Sequence, residues 1–222
     1  MCTCFFFHFF LKDCEPGKYT PVALDDGCIE CKSGSYTGAK KKATTCGDCS
    51  PGYFAPSLSI NCSECYAGQF SGSRASACTN CSVGTFSDLD LATSCTNCPS
   101  GKEAPRPGLS SCTSCVAGYY AASRSQYCKA CDAGTYTASS EQQSCLACTA
   151  GKVTTTTGQT ACVKCPVGTA QSGSGQSECP NCAKGTYNNN EGSIDITDFL
   201  FNFLIASVKD LATVLFSDQN RR

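Results

Sequence analysis

The sequence predicts a small disulfide-rich fold, an elongated tandem-repeat rod of short β-hairpin and turn loops followed by a C-terminal amphipathic helix. Three observations carry this prediction. Cysteine supplies 23 of 222 residues, the level of a disulfide scaffold. Between Cys14 and Asn190 only 17 residues are Leu, Ile, Val or Phe, about a tenth, where roughly a fifth marks the floor for burying a core. C-x-x-C pairs recur ten times, every 16 to 18 residues, and self-similarity at a fixed period marks an array of small units. Uncrosslinked, such a stretch is disordered. A disulfide closing a loop of about 15 residues contributes on the order of 3 kcal/mol, and successive disulfides take the place of a core.

In chain order, residues 1–13 (MCTCFFFHFFLKD) form an apolar N-terminal segment. It has the length of a signal-peptide core but lacks the basic start and the small-residue cleavage site, so it reads as a truncated or misplaced start about as readily as a real signal. The array follows over residues 14–190. Counted from the second cysteine of each pair, eleven openings align, at Cys14, Cys31, Cys49, Cys65, Cys81, Cys98, Cys115, Cys131, Cys148, Cys165 and Cys182. They are numbered here as repeats one to eleven, ten complete and one incomplete. Glycine stands three residues after every opening cysteine, from Gly17 to Gly185, which asks for positive φ or a close backbone approach. An aromatic stands at the fifth position in eight repeats: Tyr19, Tyr36, Phe54, Phe70, Phe86, Tyr120, Tyr136 and Tyr187; Glu103, Val153 and Ala170 replace it elsewhere. With few aliphatics available, these rings are expected to be core, each covering a disulfide for ~0.3–1.5 kcal/mol. The residues between are turn formers. Each repeat is expected to touch only the one before and the one after. At roughly 10 Å per loop, ten loops make a rod of about 100 Å.

C-x-x-C also serves zinc and dithiol redox chemistry. A zinc array joins pairs two by two, so intervals within and between sites should differ; here all are alike. Cys14 has Leu11 where a paired cysteine would stand, and the single histidine, His8, lies outside the array. A thioredoxin-type dithiol needs a βαβ setting, which glycine-rich turns do not offer. Disulfides are favoured, zinc Cys4 sites are the alternative, and no cofactor or metal is expected. The nearest carboxylate pairs, Asp25–Asp26 and Asp88/Asp90, sit among turn residues. His8 is isolated in an apolar run, so no nucleophile–base constellation forms, and no phosphate loop precedes a helix. The chain is expected not to be an enzyme. A net charge of −1 without a basic stripe gives nucleic acid no electrostatic hold, and Lys40–Lys42 is too short a run for a heparin-type patch.

The proposed pairing closes each loop on itself: Cys14–Cys28, Cys31–Cys46, Cys49–Cys62, Cys65–Cys78, Cys81–Cys95, Cys98–Cys112, Cys115–Cys128, Cys131–Cys145, Cys148–Cys162 and Cys165–Cys179. Interlaced pairings use the same residues, and spacing leaves them open. Cys182 opens a loop that never closes, and Cys2 and Cys4 stand outside. Asn61 and Asn80 lie in N-C-S sequons, acceptors for N-glycosylation in a secreted product, with disulfide formation at Cys62 and Cys81 in competition. Disulfides at this density imply the secretory pathway, hence an extracellular or cell-surface location.

The eleven openings, from CEPGKY at Cys14 to CAKGTY at Cys182, resemble the ephrin type-A/B receptor-like cysteine-rich repeat family, which occurs in tandem in large extracellular proteins. The C-x-x-G-x-[YF] opening with a closing cysteine is also similar to the one-disulfide module of tumour-necrosis-factor receptors. Their second, interlaced module is absent, so ligand binding of that kind is not implied. A similar cysteine rhythm occurs in variant surface proteins of protozoan parasites. The resemblance covers about Cys14 to Asn190 and implies an architecture more than a function.

Residues 191–222 change character. At 100° per residue, Asp195, Asp198, Asn202, Ala206, Lys209 and Thr213 share one stripe, with Phe199, Leu200, Phe203, Leu204, Leu211 and Leu215 on the rest, an amphipathic helix. Twelve Leu, Ile, Phe and Val from Ile196 to Phe216 favour a membrane by roughly 4–7 kcal/mol, while Lys209 and Asp210 oppose it by about 5–7. Spanning is marginal. Membrane association through 194–216, packing on a further segment, or a read-through tail are the options, and the unclosed Cys182 makes the chain read as a piece of a longer protein. The expected function is a structural spacer or protein-interaction module of a larger surface or secreted protein, with an unknown protein or glycan ligand. A protective or variant surface coat is the second reading, and an intracellular zinc-binding array the third.

Overall fold

The computed structural model describes residues 13–21, 27–39, 41–184 and 186–195. The apolar start lies outside them, as does the expected C-terminal helix beyond residue 195; residues 191–195 form a turn and bend, and no helix occurs among the described residues. The described residues form two compact units, the first within Met1–Thr113 with Ser123–Tyr127 and the second within Ser114–Ala122 with Cys128–Arg222.

Each repeat begins with a turn that its own sequence requires. In Glu15-Pro16-Gly17-Lys18, the Lys18 N–H donates to the Glu15 carbonyl (3.0 Å) and Gly17 has φ +88°. Proline second and glycine third are the signature of a type II turn, and Ser50-Pro51-Gly52-Tyr53 repeats it. Where a hydroxyl follows the glycine, as at Thr85, it reinforces the turn by donating to the same carbonyl, Ser82 O, at 2.7 Å.

The two residues after the glycine are a strand, and their antiparallel partner is the x-x of the next C-x-x-C. In the first unit Lys18–Tyr19 pairs with Ile29–Glu30, Ser35–Tyr36 with Gly47–Asp48, Tyr53–Phe54 with Ser63–Glu64, Gln69–Phe70 with Thr79–Asn80, and Thr85–Phe86 with Thr96–Asn97. In the second, Tyr119–Tyr120 pairs with Lys129–Ala130, Thr135–Tyr136 with Leu146–Ala147, and Lys152–Val153 with Val163–Lys164. The motif's spacing therefore has a structural cause: its two inner residues are a strand, and the following cysteine's N–H closes the ladder on the earlier glycine carbonyl, as Cys31 does on Gly17 at 2.9 Å.

The core is made of half-cystines. Opening cysteines from Cys14 to Cys165 are 0–2 % exposed, while the closing ones are half-buried. The aromatics are not the core, a correction to the sequence expectation. Seven of the eight are half-buried, and Tyr187 is 62 % exposed. The fifth position lies in a surface hairpin whose partner strand is largely exposed, so the ring stays half-buried beside its cross-strand neighbour. The Tyr36 ring lies over Gly47, directly opposite in register, and Lys129 sits 5.9 Å from the ring centroid of Tyr120, its partner.

The buried place belongs to the sixth position, which in eight repeats carries a buried small residue: Thr20, Ala55, Ser71, Ser87, Ala104, Ala121, Thr137 and Thr154 are 0–4 % exposed. The carbonyl there accepts from the preceding repeat's glycine N–H, Gly34 to Ala55 (2.7 Å) and Gly118 to Thr137 (2.9 Å). The N–H there donates to the next repeat, Ala55 to Ala75 (3.0 Å) and Ala121 to Gln142 (3.1 Å). A small side chain fits this clasp without leaving it, whereas Gln171, clasped between Gly151 and Ser193, runs out to donate to the Glu178 carbonyl.

A second expectation, contact with adjacent repeats only, is also overturned. In the first unit the carbonyls of Leu58, Arg74, Leu91, Gly108 and Arg124 press on Gly17, Gly34, Gly52, Gly68 and Gly84, each two repeats back. In the second, those of Gly158, Gly175 and Gly192 press on Gly118, Gly134 and Gly151. The pressing residue stands four before the closing cysteine (Gly192, in the unclosed repeat eleven, holds the equivalent place), has positive φ, and donates its N–H to the opening cysteine one repeat back, as Leu58 does to Cys31 (3.1 Å). A two-residue link and a two-residue strand leave each neighbour so thin that a loop tip reaches across it.

Candidate interaction surface

Ten disulfides join every opening cysteine from Cys14 to Cys165 to the closing cysteine of its own loop, with Cα separations of 5.6–5.8 Å. Among the described residues Cys182 alone is a free thiol, and no three His, Cys, Asp or Glu side chains gather as a metal site. No helix among them is long and apolar enough to cross a membrane.

The recesses of the surface obey the repeat. Hollows of about 300, 370 and 350 Å³ lie behind the hairpins of repeats one, two and nine. Each is walled by the fifth-position side chain (Tyr19, Tyr36 or Val153), by the x-x strand, by the residue after the next opening cysteine, and by that repeat's closing cysteine (Cys46, Cys62 or Cys179). The frame is constant and the lining varies. The hollow of repeat one is charged: Glu30, Lys32, Asp48 and Arg74 line it, with Arg74 paired to Asp48 at 3.3 Å and Glu30 paired to Lys18 outside it at 3.3 Å. That of repeat nine is more apolar, with Val153, Val163 and Pro166 beside Thr155 and a single charged residue, Lys164. The same frame thus carries different side chains in the two units. Further along, a side-chain hydrogen bond with Tyr120, and after it the charge of Asp132, holds Lys129 above the usual ammonium range; it remains a cation at any physiological pH.

The two sequons fall on different elements. Asn61 is exposed in the loop before Cys62, and Asn80 lies in the strand Thr79–Asn80, its Oδ1 accepting from Gln69 Nε2 at 2.9 Å.

Sequence reasoning missed two sets of residues. The sixth-position column of Thr, Ala and Ser was visible as a recurrence of small residues, but small residues also make turns. Positive φ at Leu58, Arg74, Leu91, Arg124 and Glu141 left no signal, because Leu, Arg and Glu are not left-handed formers. Only the glycines at the equivalent places, Gly108, Gly158 and Gly175, carried it.

No curated protein matches the chain. The model of the tyrosine-protein kinase ephrin type A/B receptor-like family matches residues 68–115, 118–161 and 151–198, together more than half of the sequence. The matched stretches are runs of these same disulfide-closed hairpin repeats, and the chain belongs to the tyrosine-protein kinase ephrin type A/B receptor-like family.

Proposed function

We propose that the chain is an extracellular, non-catalytic segment that spaces or presents protein-interaction surfaces within a larger surface or secreted protein. The observation that supports this reading is the serial hollow, one frame with a lining that changes from charged at repeat one to more apolar at repeat nine. Fixed frames with variable walls suit recognition of a protein or glycan along a length. The half-cystine core supports the compartment, since loops that depend on disulfides persist only where thiols are oxidised.

The test is a thiol count on the secreted full chain in denaturant. With ten disulfides, at most Cys2, Cys4 and Cys182 remain to react. Reductant should unfold the array and a chelator should leave it intact. Reactive thiols throughout the array, together with unfolding by chelator alone, would replace this reading with a zinc array.

A further inference from the structure

We infer that Asn61 is an N-glycan acceptor and that its sugar covers a bare aliphatic patch on repeat three; this rests on the extracellular reading above. Asn61 is exposed, and its amide makes no hydrogen bond among the described residues. Ile60 adjoins it in the chain and Leu58 stands three residues before it, 43 % and 42 % exposed. Ile60 lies two residues before the closing cysteine, where the other described loops place Ser, Thr or Gln, from Thr44 to Ser177. The fold therefore does not ask for an aliphatic group there. An N-linked sugar at the adjoining position supplies an apolar ring face that takes this pair out of water.

Asn80 differs in kind. Besides its bond from Gln69, its Cγ lies against Gly108, so its amide is already engaged by repeats four and six. A chain carrying a glycan there has to fold with that contact disturbed.

Synthesis order does not reverse the preference. Cys62 pairs backward with Cys49, whereas Cys81 waits for Cys95, 14 residues later. At ~5–20 residues per second that wait is on the order of one to three seconds, short against disulfide formation over seconds to hours.

The transfer needs an oligosaccharide activated on a lipid pyrophosphate. The Asn61 Nδ2 forms a bond to the anomeric carbon, the bond from that carbon to the phosphate oxygen breaks, lipid pyrophosphate leaves, and the amide proton passes to solvent.

The experiment is expression of the full chain through a eukaryotic secretory pathway, release of glycans by an amidase in ¹⁸O water, and peptide mass spectrometry. Occupancy is expected at Asn61 and higher there than at Asn80; a bare Asn61, or one occupied no more than Asn80, overturns the inference. A thiol count on the same sample separates the causes. Oxidised but unglycosylated protein defeats this inference alone, and reduced protein defeats the extracellular reading with it. Removing the glycan from folded protein should raise the fluorescence of a hydrophobic dye, and Ile60→Thr should suppress most of that rise. No rise on removal overturns the covering role.

Discussion

At Gly118 and Gly168 the backbone has nearly the same φ, +84° and +82°, in different surroundings. A Cβ at Gly118 would overlap the Gly158 carbonyl, whereas at Gly168 nothing among the described residues lies within 4 Å. Gly168→Ala should therefore cost only the left-handed conformation, about 1–2 kcal/mol. Gly118→Ala adds a backbone displacement and should cost clearly more. Denaturant unfolding of the oxidised protein measures both; equal losses would show that the contact two repeats ahead carries no energy. The glycine column was legible in the sequence as a demand for positive φ or close approach, and both hold at Gly118. What presses on it was not legible, because the pressing atom is a carbonyl, and any residue type brings one.

The hairpin repeat was legible as an element: spacing marked the loops, and turn formers announced the short strands. The rings were misjudged as core because bulk was taken for burial. The half-cystines and the clasped small residues fill the interior instead, and rings at an exposed strand stay at the surface. Repeat eleven shows how much of the element survives without a disulfide. Asn188 stands at its sixth position and is fully buried; its Nδ2 donates to the Thr169 carbonyl (2.9 Å), and its Oδ1 accepts from the Asn190 N–H (2.8 Å) and Ser193 Oγ (2.9 Å). Gly192 still donates to Cys165 at 2.8 Å. Elsewhere the disulfide does this holding. Removing one with Cys131→Ser and Cys145→Ser together should cost on the order of 3 kcal/mol. The loss should spread along the backbone clasp, exposing the amides of Gly118, Ala121 and Gly158, which donate to Thr137, Gln142 and Cys131. Hydrogen exchange reads this directly; an effect confined to residues 131–145 would mean that the repeats are energetically independent.

For the whole molecule, the spacer role depends on extension. A compact 177-residue body has a radius of gyration of about 16 Å, while a rod of ten loops at roughly 10 Å each has one near 30 Å. Small-angle scattering of the oxidised array should give the larger value, and the smaller one would defeat the spacer role whatever the disulfide map. The sequence showed the period but not the reach of each loop over its neighbour, since the nearest contacts two repeats apart are made by backbone carbonyls.

The pairing of each loop on itself has a mechanical consequence. Tension applied to the ends of the array does not run through the loops, because every disulfide short-circuits one. The stressed path is a Cα–Cα span of 5.6–5.8 Å across the disulfide and then three Cα steps through the x-x link, about 10–11 Å when taut. Ten such segments, from Cys14 to Cys182, stop at about 160–170 Å however hard they are pulled. The same residues reduced would pay out to roughly 550–600 Å. The oxidised array is an inextensible tether with its slack locked inside the loops, and breaking a single sulfur–sulfur bond would release one measured step of it.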